Sequence, residues 1–338
     1  MDEEYRKIDK VNQSTLKQLI KSPQAYLRAR DRVDDGVTPE HFIFGSLVDD
    51  MLLSPKIVDN KYYKMGESSA SDAIKEIIRF VYDNAIINEV NGESFDNTEL
   101  DKYILRGCIV YDWNARYGDD AKLKNIRKNG TEYYDSLLLA KGKTIVSESD
   151  YNQAIICVAS LKSDPYTSQY FASTKDIEVI PRFIVEFEID EVECKGELDK
   201  LFIHHGNKTI QPIDYKTTGK PLTGFQYDFW SYRYDFQGAF YTEGLKKNAY
   251  IKGLIVKGYT LLKFRYIVVE KAMTSPPMIY TLSKEACEIG KYGGTLTNGR
   301  VLEGVMDSLR RYMFHTTTDD WNYPMEYYKQ NGQLYIEV

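Results

Sequence analysis

The spacing of apolar residues changes near residue 176, and this change limits the folds open to the chain. Before it, apolar side chains recur every three or four residues, as in helices, over 11–32, 41–53, 73–88, 101–117 and 148–162. After it, apolar and polar residues alternate, as in half-buried strands, over 177–187, 192–203 and 210–215. The sequence therefore predicts an α/β or α+β fold, in which helices flank a mixed central sheet and a helical N-terminal region precedes it.

The remaining segments complete this outline. We expect a helix over 225–246, one or two strands within 251–270, helices over 283–292 and 302–312, and an irregular end over 321–338. Turns are predicted at 34–39, 91–92, 129–130 and 206–207. We predict one domain over 1–338, with a mainly helical part over 1–175, a core over 176–295 and a C-terminal extension over 296–338.

Composition excludes several classes of protein. The sequence contains no run of 18 apolar residues, which a membrane span would need, and its charged start lacks an apolar signal core. We therefore expect a cytoplasmic protein. The four cysteines lie far apart, which argues against a zinc or iron–sulfur site. The net charge of −6 does not favour a sequence-reading DNA-binding protein, although a local basic channel can coexist with an acidic exterior.

Two neighbouring predicted strands carry the acids of greatest chemical interest. Asp199 follows Glu197 in the first strand, and Asp214 lies in the second, two residues before Lys216. Side chains alternate between the faces of a strand, so Glu197 and Asp199 share one face, as do Asp214 and Lys216. If the strands pair through a hairpin turn near Gly206, Asp199 faces Asp214 and Lys216 across the sheet.

Such an arrangement predicts a divalent-metal site. Carboxylates that face one another repel unless a cation lies between them, and Mg²⁺ or Mn²⁺ with oxygen ligands relieves that repulsion. Lys216 would then orient or deprotonate the attacking water and offset charge on a phosphorane. The pattern indicates metal-dependent hydrolysis of phosphodiester bonds. A solvent-facing salt bridge between Lys216 and an acid is the alternative, because Asp-x-Lys is a common sequence.

These residues resemble a known nuclease core. Gly196-Glu197-Leu198-Asp199, followed by Asp214-Tyr215-Lys216-Thr217, is similar to the motif of the PD-(D/E)XK nuclease superfamily, with Leu198 in place of its proline. Further segments resemble the exodeoxyribonuclease VIII (RecE-like) branch of phage exonucleases, namely 13–17, 22–26, 44–49, 52–55, 234–241 and 268–271. The resemblance covers roughly residues 11–295 and implies a restriction-endonuclease-like fold.

The resemblance also implies roles for individual residues. It places a metal ion on Asp199, Asp214 and the carbonyl of Tyr215. Gln237 and Tyr241 form its Gln-x-x-x-Tyr signature, and their spacing of four lets both side chains contact one phosphate; simple helix packing is the alternative.

Three further acids keep two interpretations each. Asp49 stands where the family carries a metal-binding histidine, and is either a ligand or a solvated acid beside Asp50. Glu178 is either the family's upstream acid, and so a metal ligand, or an exposed strand residue. Glu197 either helps to hold the metal or forms a salt bridge with Lys195.

The resemblance implies a metal-dependent exonuclease that resects linear duplex DNA, in the 5′-to-3′ direction, for recombination. It also implies a ring-like homo-oligomer, a single-strand annealing protein as a partner and, for a phage-encoded chain, the bacterial host cytoplasm. An endonuclease, a helicase-associated nuclease and a non-cleaving protein that binds DNA or a partner are the alternatives. Residues that can line a DNA channel are Lys220, Arg233, Lys246, Lys247, Lys257, Lys263 and Arg265.

Overall fold

A computed structural model describes residues 3–31, 40–66, 70–88, 94–172 and 174–336. Their strands are β1 Val11–Asn12, β2 Tyr62–Met65, β3 Thr144–Ser147, β4 Ile177–Ile189, β5 Val192–His204, β6 Thr209–Thr218, β7 Thr260–Leu261, β8 Arg265–Glu270, β9 Met278–Thr281, β10 Gly294–Thr295 and β11 Val301–Leu302. Their helices are α1 Glu3–Lys7, α2 Gln13–Leu16, α3 Pro23–Arg30, α4 Glu40–Leu53, α5 Val58–Lys61, α6 Asp72–Ile87, α7 Asp101–Val110, α8 Asp119–Ala140, α9 Glu148–Ser163, α10 Phe225–Ser231, α11 Tyr234–Lys247, α12 Ala249–Val256, α13 Lys284–Tyr292, α14 Val305–Thr318 and α15 Met325–Lys329. The predicted turns at 34–39 and 91–92 lie outside the described residues.

A mixed sheet forms the centre of the fold, as predicted. Its main strand order is β4-β5-β6-β8-β9, with β1 added beside β5 and β7 beside β6. The pairs β4–β5, β5–β6 and β8–β9 are antiparallel, whereas β6–β8, β1–β5 and β6–β7 are parallel. The parallel pair β6–β8 requires a crossover, and α10, α11 and α12 lie in that connection. The predicted restriction-endonuclease-like fold class, a mixed sheet flanked by helices, is confirmed.

One edge of β5 changes partner along its length. Its other edge pairs with β4 from Val192 to His204, except at Asp199. On the first edge, β1 pairs with Cys194 and Lys195, and β6 pairs from Lys200 onwards. Residues 196–199 therefore have no ladder partner on this edge among the described strands. The discontinuity opens the sheet at the segment that carries Glu197 and Asp199.

Asn12 ends β1 and starts α2. Its side-chain oxygen accepts hydrogen bonds from the backbone N–H groups of Ser14 and Thr15, both at 3.0 Å. The predicted helix over 11–32 is thus wrong in its first two residues, because Val11 and Asn12 pair with β5. Asn12 is the N-cap of α2, since an extended backbone with a side-chain acceptor is the usual N-cap geometry.

The chain divides into two compact units. One contains Met1–Asp35 and Ala159–Val338, and the other contains Gly36–Val158. The first holds the mixed sheet, and the second holds α4 to α8 with a two-stranded parallel sheet, β2–β3, that the sequence analysis did not foresee. The prediction of one nuclease domain with boundaries at 175 and 295 stays a prediction, because compactness does not show which segments the activity requires.

The predicted turn at Asn129-Gly130 is wrong, since both residues lie inside α8. A Cβ atom at position 130 would lie 2.5 Å from Cδ1 of Ile78 on α6. Glycine is present here because two helices pack closely, and not because the backbone turns.

Two other predicted elements differ from the structure. Residues 251–256 belong to α12 instead of a strand: Asn248 caps this helix, and Ile251 and Leu254 are buried at helical spacing. The helix predicted over 225–246 is interrupted before α11, where Arg233 takes a left-handed backbone with φ of 60°. Short apolar runs suit both a strand and a buried helix, so only the packing separates the two.

A membrane-spanning helix was not expected, and none of the helices in the described ranges has the length and apolarity to cross a bilayer.

We predict that Asn12→Ala lowers the free energy of unfolding by about 1 kcal/mol, because two backbone N–H groups lose their acceptor. Urea titration followed by circular dichroism measures the change. Asn12→Asp is the matched control and keeps most of the stability, since aspartate caps helices as well as asparagine. An equal loss in both variants would show that the cap is not the stabilising interaction.

Candidate active site

A buried aspartate forms the centre of the candidate site. Asp214 on β6 is only 2% exposed. The side-chain amide of Gln237, on α11, donates a hydrogen bond to Asp214 Oδ1 at 2.8 Å. The ammonium of Lys216, two residues along β6, forms an ion pair with Asp214 Oδ2. The structure therefore brings together three of the predicted residues, two from the sheet and one from the helix across it.

Asp199 joins this group where the strands β5 and β6 separate. The last ladder pair between them is Lys200–Ile213, so the next pair in register would be Asp199–Asp214. In its place, Asp199 Oδ2 accepts a hydrogen bond from the backbone N–H of Tyr215 at 2.7 Å. The Asp199 carboxylate thus lies beside the peptide group that joins Asp214 to Tyr215, which agrees with the predicted meeting of the two acids.

Burial and neighbouring charges have opposite effects on the pKa values of Asp214 and Lys216. Burial disfavours the carboxylate and raises the pKa of Asp214, although Lys216 and Gln237 partly oppose it. Burial also acts to lower the pKa of Lys216, but the nearby Asp214, Tyr234 and Asp199 outweigh it and raise that pKa. Lys216 is therefore held as an ammonium ion in this arrangement.

Tyr241 packs against the sheet one helical turn after Gln237. Its buried ring lies against Gly196 of β5, where a Cβ atom would come within 2.7 Å of Tyr241 Cε1. The glycine before the first acid therefore permits close contact between α11 and β5. On this helix Gln237 reaches Asp214 directly, and Tyr241 packs against the strand that carries Asp199.

The described residues include no group of three or more His, Cys, Asp or Glu side chains that could hold a metal ion. Asp199 and Asp214 still fit a hydrated Mg²⁺ or Mn²⁺ ion, because such ions often take one or two carboxylates and keep several waters. Asp214 Oδ2 already contacts one cation, the ammonium of Lys216, which shows that this buried oxygen accepts positive charge. The role of the Tyr215 carbonyl stays a prediction.

Asp49 lies on α4 of the second compact unit and is partly exposed. The adjacent Asp50 is buried and accepts a hydrogen bond from Tyr62 at 2.7 Å, in addition to its ion pair with Lys61. Asp50 therefore has a structural role, and the role of Asp49 as a metal ligand stays a prediction.

Glu178 lies further along the sheet, towards the β5–β6 turn. It pairs with Ile203, four residues beyond Asp199. Its carboxylate contacts His205 Nε2 at 3.3 Å and the Tyr250 hydroxyl at 3.4 Å. The structure does not group Glu178 with Asp214, and these contacts favour the interpretation of an exposed strand residue.

Glu197 has a partner that the sequence analysis did not name. Its carboxylate lies 3.2 Å from the guanidinium of Arg182 on β4. Lys195 instead points to the N-terminal segment, where its ammonium donates hydrogen bonds to the carbonyls of Tyr5 and Ile8. Both interpretations of Glu197, as an acid that helps to hold the metal and as a partner of Lys195, therefore stay predictions.

The alternation that placed Glu197 and Asp199 on one face does not hold across this segment. Leu198 and Leu201 are three residues apart, yet both are fully buried in the same apolar core. A regular strand would place them on opposite faces. The strand is therefore shifted by one residue between them, at the level of Asp199.

Several predicted channel residues are held by acids within the fold. Lys220 pairs with Asp228 at 2.6 Å, Lys246 pairs with Glu243 at 3.1 Å, and Arg233 forms two hydrogen bonds of 3.0 Å with buried Asp235. Their positive charges are already balanced, so a DNA channel lined by the predicted set stays a prediction.

Lys17 is a residue that the sequence analysis did not select. Its ammonium donates a hydrogen bond to the carbonyl of Tyr232 at 3.0 Å. Burial, followed by the charges of Lys216 and Arg233, lowers the pKa of Lys17 to about 8. A cation so close to other cations is a good partner for a phosphate. The sequence gives only a weak indication of this role, namely that none of the residues three or four positions before or after Lys17 is an acid that could pair with it.

We predict that Gly196→Ala lowers the free energy of unfolding by about 1–3 kcal/mol, because the new methyl group overlaps the buried Tyr241 ring. Thermal unfolding followed by circular dichroism measures the change. Gly206→Ala, in the β5–β6 turn, is the control, since a Cβ atom there meets nothing within 4 Å. Similar melting temperatures for both variants would contradict the packing argument.

Comparison with solved structures finds a crystal structure of a "Putative exonuclease" from Eubacterium rectale. It superposes with a TM-score of 0.46 and 11% sequence identity, over 98% of this chain and 90% of that chain. A search of curated proteins finds no match.

The family model described as "PDDEXK-like domain of unknown function (DUF3799)" matches residues 12–292. This range includes the strands β4 to β9 and four residues of the candidate site, Asp199, Asp214, Lys216 and Gln237. It also confirms the resemblance to the PD-(D/E)XK nuclease superfamily and supports a nuclease. Because the match covers most of the chain, the protein belongs to this family of PDDEXK-like domains.

Proposed function

We propose that this protein is a metal-dependent deoxyribonuclease that hydrolyses phosphodiester bonds with Asp199, Asp214 and Lys216. One observation carries the proposal. Buried Asp214 lies beside Asp199 at the opening in the sheet, with Gln237 and Lys216 on its two oxygens. Family membership supports the same chemistry, because it makes a nuclease core the expected context for an Asp-x-Lys sequence.

When bound, Mg²⁺ or Mn²⁺ would polarise the phosphate and lower the pKa of a water molecule. Asp199 and Asp214 would hold the ion, with the Tyr215 carbonyl as a further ligand. Gln237 fixes the orientation of the Asp214 carboxylate through its hydrogen bond at 2.8 Å. The raised pKa of Lys216 favours an ammonium that offsets negative charge on the phosphate oxygens over a lysine that removes a proton.

Lys17 adds a second cation to the site, beside Lys216, for the DNA strand that would bind there. The cation is close enough to Lys216 for the two charges to repel, and its ammonium bonds to a backbone carbonyl. A phosphate placed between the two lysines would relieve that repulsion. We therefore assign Lys17 a contact with a DNA phosphate near the scissile bond.

Linear duplex DNA is the proposed substrate, cleaved from an end in the 5′-to-3′ direction for recombination. This rests on the resemblance of segments 13–17, 44–49 and 234–241 to RecE-like exonucleases. The same resemblance supports a ring-like oligomer, a single-strand annealing partner and a role for Asp49 where that family has histidine.

The test is digestion of end-labelled linear duplex DNA and of closed circular DNA with Mg²⁺. We expect degradation of the linear DNA alone, and complete loss of activity in EDTA. Asp214→Asn and Lys216→Met lower the rate at least about 100-fold, because the proposed ion and the phosphate charge lose their partners. Equal degradation by the unaltered protein and both variants would overturn the proposal, and cutting of circles would show an endonuclease.

Glu178→Gln is the matched control for these variants, since it also neutralises an acid on the same sheet. We expect it to keep its activity, because the contacts of Glu178 are with His205 and Tyr250. A loss comparable to that of Asp214→Asn would restore Glu178 as a metal ligand.

We predict that Lys17→Gln weakens DNA binding uniformly across sequences and reduces the slope of log K against log salt by about 1. The measurement is fluorescence anisotropy of a labelled duplex in EDTA over a range of salt concentrations. Lys208→Gln is the control, because Lys208 also donates to a backbone carbonyl, that of Lys257, but at the β5–β6 turn. Equal slopes for both variants would exclude the phosphate contact.

A further inference from the structure

A backbone outlier lies inside β4. Arg182 takes the left-handed conformation with φ of 49°, directly after Pro181. Left-handed geometry is uncommon for residues other than glycine and is seldom found within a strand. Such strain persists only where the surrounding structure holds it in place, and it often occurs at functional sites.

The outlier lies opposite Asp199. The β4–β5 ladder pairs Pro181 with Lys200 and Phe183 with Leu198, so Arg182 and Asp199 occupy the level between these pairs. Neither residue takes part in the ladder at this level. The irregular backbone of β4 and the acid on β5 thus lie opposite each other, between the same two ladder pairs.

Both strands lose their regular alternation at this step. Ile180 and Phe183 of β4 pack against the same apolar core although they are three residues apart. Leu198 and Leu201 of β5 do the same. The pairs Pro181–Lys200 and Phe183–Leu198 keep the same register, so one residue of each strand is left out of the ladder and the side chains of both strands change face at this level.

The redirected side chain is that of Asp199. Asp199 does not pair with Asp214 in the β5–β6 ladder. Its carboxylate instead accepts a hydrogen bond from the backbone N–H of Tyr215 at 2.7 Å. It can do so because residues 196–199 have no strand partner on that edge of β5 among the described strands.

We propose that Arg182 is a positioning residue, whose left-handed backbone sets the direction of the Asp199 carboxylate in the metal site. The inference rests on the proposed function in one respect, that Asp199 holds the metal ion. The Arg182 side chain also forms an ion pair with Glu197 at 3.2 Å, so the test has to separate the side chain from the backbone. Both side chains are mostly buried, 17% and 12% exposed, so the pair is shielded from water.

The test compares Arg182→Gly with Arg182→Val. Both variants remove the guanidinium and so lose the pair with Glu197 equally. They differ in backbone preference, because glycine adopts the left-handed conformation readily and a β-branched residue does not. Calorimetric titration with Mn²⁺, in the absence of DNA, measures affinity independently of hydrolysis. We expect Arg182→Gly to stay within about twofold of the unaltered protein, and Arg182→Val to bind Mn²⁺ about 10–100-fold more weakly.

Lys208→Val is the matched control. Lys208 also has a left-handed backbone, with φ of 52°, but it lies in the turn between β5 and β6. Its substitution introduces the same backbone conflict away from Asp199. We expect a lower melting temperature with unchanged Mn²⁺ affinity. Circular dichroism at the titration temperature confirms that each variant is folded.

The possible results separate the proposals. An equal loss of affinity in Arg182→Gly and Arg182→Val assigns the effect to the side chain and overturns the inference, as does full affinity in Arg182→Val. If the unaltered protein binds Mn²⁺ with the expected pattern but cleaves no DNA, only the proposed function fails. If it binds no Mn²⁺, both fail.

Discussion

The burial of the Asp214 carboxylate is the constraint on which the rest of the site depends. A carboxylate that is withdrawn from water needs charge or hydrogen-bond partners. Lys216 supplies the charge from the same strand, and Gln237 supplies the hydrogen bond from α11. The helix must therefore lie close to the sheet, and Gly196 allows that approach by leaving room for the Tyr241 ring. The proposed active site and the packing of the core therefore depend on neighbouring residues of the same helix and sheet.

The opening in the sheet has an equally direct physical origin. Because β1 ends where Asn12 caps α2, this edge of β5 has no partner among the described strands until its pairing with β6 begins at Lys200. Asp199 lies in that interval, and Arg182 of β4, with its left-handed backbone, lies opposite it on the other edge of β5. An unbroken ladder would use the backbone at this level for sheet hydrogen bonds. The interruption leaves the Tyr215 N–H to be bonded by a carboxylate.

Sequence reasoning succeeded where one local pattern had one physical outcome. Alternation predicted β4, β5 and β6, and the spacing of Asp199, Asp214 and Lys216 predicted their meeting. It failed where a short pattern has several outcomes. The apolar run at 251–256 suits both a strand and a helix, and Asn129-Gly130 suits both a turn and a close helix contact. Lys17 and Arg182 escaped notice because their importance comes from neighbours distant in the chain.

The sequence by itself determined the fold class, the family and the identity of the acids and lysine, because residue type and period are properties of the chain alone. Only the tertiary structure decided which partners those residues have. It assigned Gln237 to Asp214, Arg182 to Glu197 and the Tyr215 N–H to Asp199. The physical reason is that the direction of a side chain in a regular strand follows from counting residues, whereas the irregular step at Arg182 and Asp199 shifts that count.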